Sequence, residues 1–407
     1  MFATAKRGSS AAAVLNLTAT TLGAGLLAIP RSLAMLGVLW GTAAIILIAI
    51  ASDLTLGWLV KCSRYSGRKS YEGNAAHFLG RSGAFALHAF LIILLFGASI
   101  AMIVIFVDTI PIEGVSREKA VIAFAFLSYP IAVSEELSSL KWVSALSLCC
   151  LGFFYLLLLS RFSTNPISSD VNWSEPPESI KSASIALSVI LSSFICHFNI
   201  FKIDVELGDA NSKHTDAVIH FSMLGVCLIV YLTVGLAGYL LLGPNVPANI
   251  LIAFPNDYLF RIAKGALCLT NFFKFPLLLV PLRESIVEGI PADKQALVQT
   301  GKGRMVLTAF LVIIVSFVAY YLTDLMKVLS LLGSSAGVVT GFLLPSLLKI
   351  SLGHRRAAQQ GLLAEIREAS FLNERITTES QEWNVLPGII AILSVIVGCV
   401  STYYSLG

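Results

Sequence analysis

Eleven stretches of mostly apolar residues, each about long enough to cross a bilayer, run the length of this 407-residue chain. They fall at roughly 11–37, 38–60, 83–107, 119–137, 142–160, 180–200, 217–242, 257–281, 304–322, 325–349 and 386–405. A chain built this way cannot fold around a water-facing surface. Only 13% of its residues are charged, against about 25% in a soluble protein, and its mean hydropathy is +0.83. The net charge of +4 is spread over short loops and offers no face to nucleic acid.

Lysine and arginine set the expected orientation. With the N-terminus in the cytosol, Lys61, Arg64, Arg68, Lys69 and Arg81 fall in one cytosolic loop. Arg283, Lys294, Lys302 and Arg304 fall in another, and Lys349, Arg355, Arg356, Arg367 and Arg375 in a third. The opposite side carries chiefly Arg117, Lys119, Arg161 and Lys181. An odd number of spans then places Leu406 and Gly407 outside or in a lumen. The short polar start, MFATAKRGSS, runs straight into a first apolar stretch too long for a signal peptide. We therefore expect one transmembrane domain over 1–407, with 1–10 as a short cytosolic N-terminus and 350–385 as a cytosolic loop. Within that loop, charges interleave with apolar residues at helical spacing, as in a solvated helix or a partner-binding one.

The seven cysteines form no CxxC pair and no cluster with histidine, and none falls in an expected outer loop. Neither a metal centre nor structural disulfides are expected, and no cofactor. Two stretches match the N-glycosylation pattern. Asn172-Trp173-Ser174 lies in the outer 161–180 loop and is the candidate; Asn16-Leu17-Thr18 lies inside the first span, out of reach.

Two spans contain residues that should break a membrane helix. In the first, "TLGAGLLAIP", Gly23 and Gly25 loosen the backbone and Pro30 follows. In the sixth, "SSFICHFNIFKIDVELGD", His197 and Asn199 intrude, followed by Lys202, Asp204 and Glu206. Backbone freed at mid-membrane is costly unless it lines a cavity, and in transporters such breaks form the substrate site. The alternative for the glycines is close helix packing, and for His197 a local buried pair. Breaks five helices apart are what an inverted five-plus-five repeat produces. Other ionisable residues at depth are few: Asp53, Lys274, and at the margins His88, Asp324 and Lys327. They form no nucleophile or metal set, so an enzyme is not expected. No repeated selectivity loop suggests a channel. Asp53 is read as a helix cap or as part of a cytosolic gate.

These residues also carry a resemblance. "NLTATTLGAGLLAIPRSLAMLG", "KCSRYSGRKSYEGNAAHFLG", "FICHFNIFKIDVEL" and "FPLLLVPLRES" resemble, in order, the first helix, the loop after the second, the sixth helix and the end of the eighth in the amino acid/auxin permease family. The nearest branches are the sodium-coupled neutral amino acid transporters and the plant and fungal vacuolar amino acid transporters. The resemblance implies an all-α polytopic membrane protein of eleven transmembrane helices, a five-plus-five inverted repeat with helices 1 and 6 broken. It implies amino acid transport by alternating access, in a vacuolar, lysosomal or plasma membrane. The substrate contacts would then be Thr20, Thr21, Gly23, Ala24 and Gly25 at the first break, and Cys196, His197 and Asn199 at the second. Ser99, Ser334 and Ser335 would contribute walls, although small polar residues are also ordinary packing groups in membrane helices. An amino acid sensor that keeps the transporter fold is the other reading; the short N-terminus favours transport.

Lys274, in "NFFKFPLLLVPLRES", sits among aromatic residues before a proline. The sodium-coupled relatives place a threonine at this point, and the asparagine that partners it aligns with Ala19. A hard cation needs oxygen ligands, and both are missing. The resemblance thus implies a sodium-independent carrier in which the Lys274 amine takes the place of the ion. An amine that loses its proton in one conformation, or a titrating His197, would couple transport to protons. The competing reading is a lysine snorkelling to the interface.

Overall fold

The computed structural model describes residues 9–110, 114–134, 141–208, 212–254, 257–290, 295, 298, 300–366 and 372–406. Among these residues the chain is helical throughout, without strands. The first span is two helices, α1 (Ser10–Thr21) and α2 (Gly25–Leu36), bent by 54° at the break between them. Then follow α3 (Val38–Ser66), α4 (Tyr71–Thr109), α5 (Arg117–Val133) and α6 (Lys141–Thr164). The sixth span is α7 (Ile180–Ser193), one 3-10 turn (His197–Asn199), and α8 (Ile200–Leu207). The seventh is α9 (Ser212–His220), a π-helical segment (Phe221–Cys227) and α10 (Leu228–Leu242). After α11 (Tyr258–Glu288) and α12 (Gly301–Tyr321) comes α13 (Leu325–Leu332). Two π-helical segments, Gly333–Gly337 and Val339–Leu343, join it to α14 (Leu344–Ile366), and α15 (Leu372–Leu406) ends the bundle.

The helix starts follow from polar caps. Ser70, Ser116, Ser179, Asp257, Thr300 and Asp324 each accept a backbone N–H at the head of a helix, a contribution of about 1 kcal/mol apiece. Asp324 is thus an exposed cap and not an intramembrane site. In α4, Gly80 at φ 76° separates a short first helix from the span proper. That conformation is open to glycine and strained for other residues.

Nine of the described helices are long and apolar enough to cross a membrane, and the bent pair α1–α2 makes ten. α5, at the fourth expected span, has 17 residues, or about 25 Å, at the short end of what crosses a bilayer. In the 350–385 segment α14 runs on to Ile366 and α15 starts at Leu372.

Packing places both breaks at the centre. α2 lies against α7 and α10, and α4 runs along α11. Close crossings need missing side chains. A Cβ on Gly333 would come within 1.8 Å of the Ser188 carbonyl oxygen, and one on Gly238 within 2.8 Å of Pro30. The buried Arg283 escapes an unpaired burial by donating to the Ala132 carbonyl (3.0 Å) and the Thr308 hydroxyl (2.8 Å).

Candidate functional site at two broken helices

The first break spans Leu22–Ala24. The N–H groups of Leu26 and Leu27 turn back on the carbonyls of Gly23 and Ala24, at 3.2 and 3.3 Å. Helix α1 therefore ends, and α2 begins, with backbone groups that no regular helix satisfies. The second break spans Phe194–Cys196, where α7 has ended and the 3-10 turn has not begun.

Three side chains tie the breaks together. The fully buried Tyr231, on α10, places its hydroxyl 2.7 Å from the Thr21 carbonyl and 2.7 Å from the Ser193 carbonyl, the last residues of α1 and α7. Asn199 donates from Nδ2 to the Thr20 hydroxyl (3.0 Å) and to Asn16 Oδ1 (3.4 Å). The Thr21 hydroxyl donates to the Leu17 carbonyl at 2.9 Å, and the buried Cys196 and Cys227 lie near it. Thr20, Thr21, Cys196 and Asn199 thus lie together at the two breaks. Their tie through Tyr231, and the part of Asn16, had no signature: a tyrosine in an apolar helix and an asparagine in a sequon-like triplet are common.

Lys274 reaches the same place. Leu22, Gly23, Ala24 and Leu27 face Thr270, Asn271 and Lys274 of α11, with Ser147 of α6, across a cavity of about 10 Å³. That is room for about one water and far too little for an amino acid. The break is closed. Lys274 is half-buried, and among the described residues no carboxylate or hydrogen-bond acceptor pairs with its ammonium. Ala19 is buried in α1 but does not line this cavity.

Other expected site residues lie elsewhere. His197 is fully buried, but its Nε2 meets the Thr55 hydroxyl of α3 at 2.8 Å. That hydroxyl donates to the Ala51 carbonyl (2.8 Å), so it accepts from His197, which assigns the proton to Nε2. Nδ1 is left without a described partner beside Gly341. His197→Ala is expected to lower stability by about 2–4 kcal/mol through the cavity and the widowed Thr55. A melting curve checks this; an unchanged midpoint would mean that the histidine carries no packing.

Ser99 and Ser334 donate back to their own helices, at Leu95 and Leu331, and neither lines the cavity; Ser335 also bonds to the Leu331 carbonyl. Asp53 neither caps a helix nor stands free: it pairs with His220 Nδ1 of α9 at 2.7 Å. Asn172 is half-buried against Gly37. Its side chain is bonded at both ends to Glu175, and a glycan would take one of the two Nδ2 hydrogens, leaving one to donate.

Gly25 changes its meaning. It was expected to let a substrate approach the backbone, but a Cβ here would lie 2.0 Å from Ser193 Oγ and 2.9 Å from Ser193 Cα. The missing side chain admits helix α7. At Gly23 the nearest atoms to a new Cβ are backbone oxygens at 3.9 and 4.0 Å, ordinary contact. Gly23 is the position that keeps room at the break.

A helical bundle with two abutting broken spans, freed backbone and a closed central cavity has the fold of a secondary transporter. In agreement, the chain matches a solved Na⁺-coupled sialic acid symporter in its outward-open state, with a TM-score of 0.58 and 14% identity over 98% of this chain and 90% of that one. At that identity the likeness concerns fold alone. Sequence makes the second step. Residues 6–371 match the model of the family described as transmembrane amino acid transporter protein. Vacuolar amino acid transporter 5 of Schizosaccharomyces pombe is 27% identical over 85% of each chain. Vacuolar amino acid transporter 7 of Saccharomyces cerevisiae is 31% identical over 68% of this chain and 59% of its own. Sodium-coupled neutral amino acid symporter 2 of Danio rerio is 24% identical over 83% of this chain and 74% of its own. The chain belongs to the transmembrane amino acid transporter family, whose members are carriers and not enzymes.

Proposed function

We propose that this protein carries amino acids across a vacuolar-type membrane by alternating access, without sodium, and that Lys274 supplies the positive charge next to the first break. The substrate is held by the backbone freed at Leu22–Ala24 and Phe194–Cys196, in a site opened from the closed state described above. The observation that carries this reading is the shared cavity: Lys274 and Asn271 face Gly23 and Ala24 across a gap of one water. The Lys274 ammonium provides at this point what a bound cation would provide, and it would repel such a cation. The vacuolar membrane is supported by the similarity to the two yeast vacuolar amino acid transporters. Proton coupling through the Lys274 amine is the finer part of the proposal.

The test is uptake of a panel of radiolabelled amino acids into proteoliposomes, with sodium replaced by a bulky organic cation and with pH gradients of either sign. Uptake that persists without sodium and responds to a pH gradient supports the whole proposal. Loss of most uptake on sodium removal refutes the ion assignment, and uptake indifferent to pH leaves a facilitator or exchanger. A second expected outcome concerns Asn199. Asn199→Leu removes its bonds to Thr20 and Asn16 while keeping volume, and is expected to cut uptake about tenfold, each lost bond costing about 1 kcal/mol. Unchanged uptake would remove Asn199 from the site.

A further inference from the structure

The Tyr231 hydroxyl has one proton and stands 2.7 Å from two carbonyl oxygens, those of Thr21 and Ser193. Both carbonyls end half-helices, where the backbone dipoles leave partial negative charge. A neutral hydroxyl satisfies such a pair poorly. An ammonium, with three N–H donors and a positive charge, satisfies both. Yet in the closed molecule the hydroxyl holds the place, and it is fixed there. Its ring packs edge-on against Phe194 in the second break, with centroids 4.8 Å apart. One and two turns on, Gly235 and Gly238 press α10 onto α2, where any Cβ would meet Ile29 at 2.7 Å or Pro30 at 2.8 Å. Cys227 ends a π-helical segment, and Tyr231, four residues on in regular helix, shares its face; such bulges are frequent at working sites.

We propose that Tyr231 is an internal stand-in for the substrate's ammonium group. In the empty carrier its hydroxyl caps the Thr21 and Ser193 carbonyls, so that the two breaks close on each other without substrate. When an amino acid arrives, its ammonium takes over both carbonyls. This rests on the carrier reading above. It has a kinetic consequence. Net uptake requires the empty carrier to close and reorient, whereas exchange of substrate for substrate requires only the loaded one. Tyr231 therefore serves the empty half of the cycle.

Tyr231→Phe keeps the ring and removes the hydroxyl. The test compares it with the wild type in proteoliposomes, using a radiolabelled neutral amino acid that the wild type carries. Net uptake into empty vesicles is expected to fall about tenfold or more, because only when substrate is absent does the Ser193 carbonyl lose the Tyr231 donor and the Thr21 carbonyl keep the Gly23 N–H (2.8 Å) alone. Counterflow into vesicles preloaded with the same unlabelled amino acid is expected to stay within about twofold, with half-saturation unchanged or lower. Retained counterflow also shows that the variant is folded. An equal fall in both modes, or a raised half-saturation in counterflow, would make Tyr231 a supporting residue and overturn the proposal; so would no change in either mode. A wild type that moves no amino acid in either mode would instead refute the carrier reading.

Discussion

Gly25→Val is expected to leave little folded protein in any membrane, whereas Gly23→Ala folds normally and loses transport. At Gly25 the first added carbon would overlap Ser193 Oγ at 2.0 Å and press on its Cα at 2.9 Å. The hydroxyl can be trimmed away, but the backbone of α7 cannot. Overpacking of this kind costs about 1–3 kcal/mol where neighbours can shift, and valine adds two further methyl groups between the tightly packed α2 and α7. At Gly23, by contrast, a methyl meets only carbonyl oxygens at ordinary contact distance. Gly23 itself lines the cavity of about 10 Å³, which on the proposed function must open for substrate. We expect Gly23→Ala to melt within about 1 kcal/mol of the wild type and to lose at least about tenfold in uptake. Size-exclusion profiles and melting curves separate the two glycines. A well-behaved Gly25→Val, or a fully active Gly23→Ala, would contradict this assignment. Gly25→Ala combined with Ser193→Gly is expected to recover part of the fold, since the 2.0 Å and 2.5 Å overlaps disappear and the 2.9 Å one remains.

Lys274→Met is expected to lower transport about a hundredfold with little loss of folded protein. Methionine keeps most of the stem and removes the charge. A mid-membrane lysine costs about 3 kcal/mol on insertion scales, so its removal alone favours insertion. Because no carboxylate among the described residues pairs with Lys274, no buried anion is stranded by the change. The lost positive charge is felt only at the break. Lys274→Thr tests the same point differently, since it puts a hydroxyl in place of the amine. One added hydroxyl does not make the set of oxygen ligands a hard cation needs, so the variant is expected to remain inactive in sodium and without it. Wild-type rates and pH dependence in both variants would return Lys274 to the role of a snorkelling side chain.

Much of this architecture was legible in the sequence because lipid permits so few solutions. A run such as 83–107 has no stable form other than a buried or spanning helix, and interruptions such as Gly23–Gly25 and His197–Asn199 survive at depth only where something satisfies the backbone. The order of spans, the two breaks and the family followed. Boundaries were less legible, because helix propensity does not stop at the membrane surface. α14 continues as helix past its apolar stretch to Ile366, α15 starts as helix at Leu372, and α5 covers only 17 residues.

The sequence by itself determined that two helices break, and where, since glycine and misplaced polar groups act on their own backbone. What fills each break was decided only by the tertiary structure. Gly25 looked like a door for substrate and is the seat of Ser193. His197 looked like part of the pathway and bonds to Thr55, across 142 positions of sequence. Tyr231 looked like any aromatic residue in an apolar helix, yet it bonds to carbonyls 210 and 38 positions away. Local chemistry says which backbone groups are left unsatisfied. Which side chain satisfies them depends on how helices cross, and crossing is set by the packing of residues far apart in the chain.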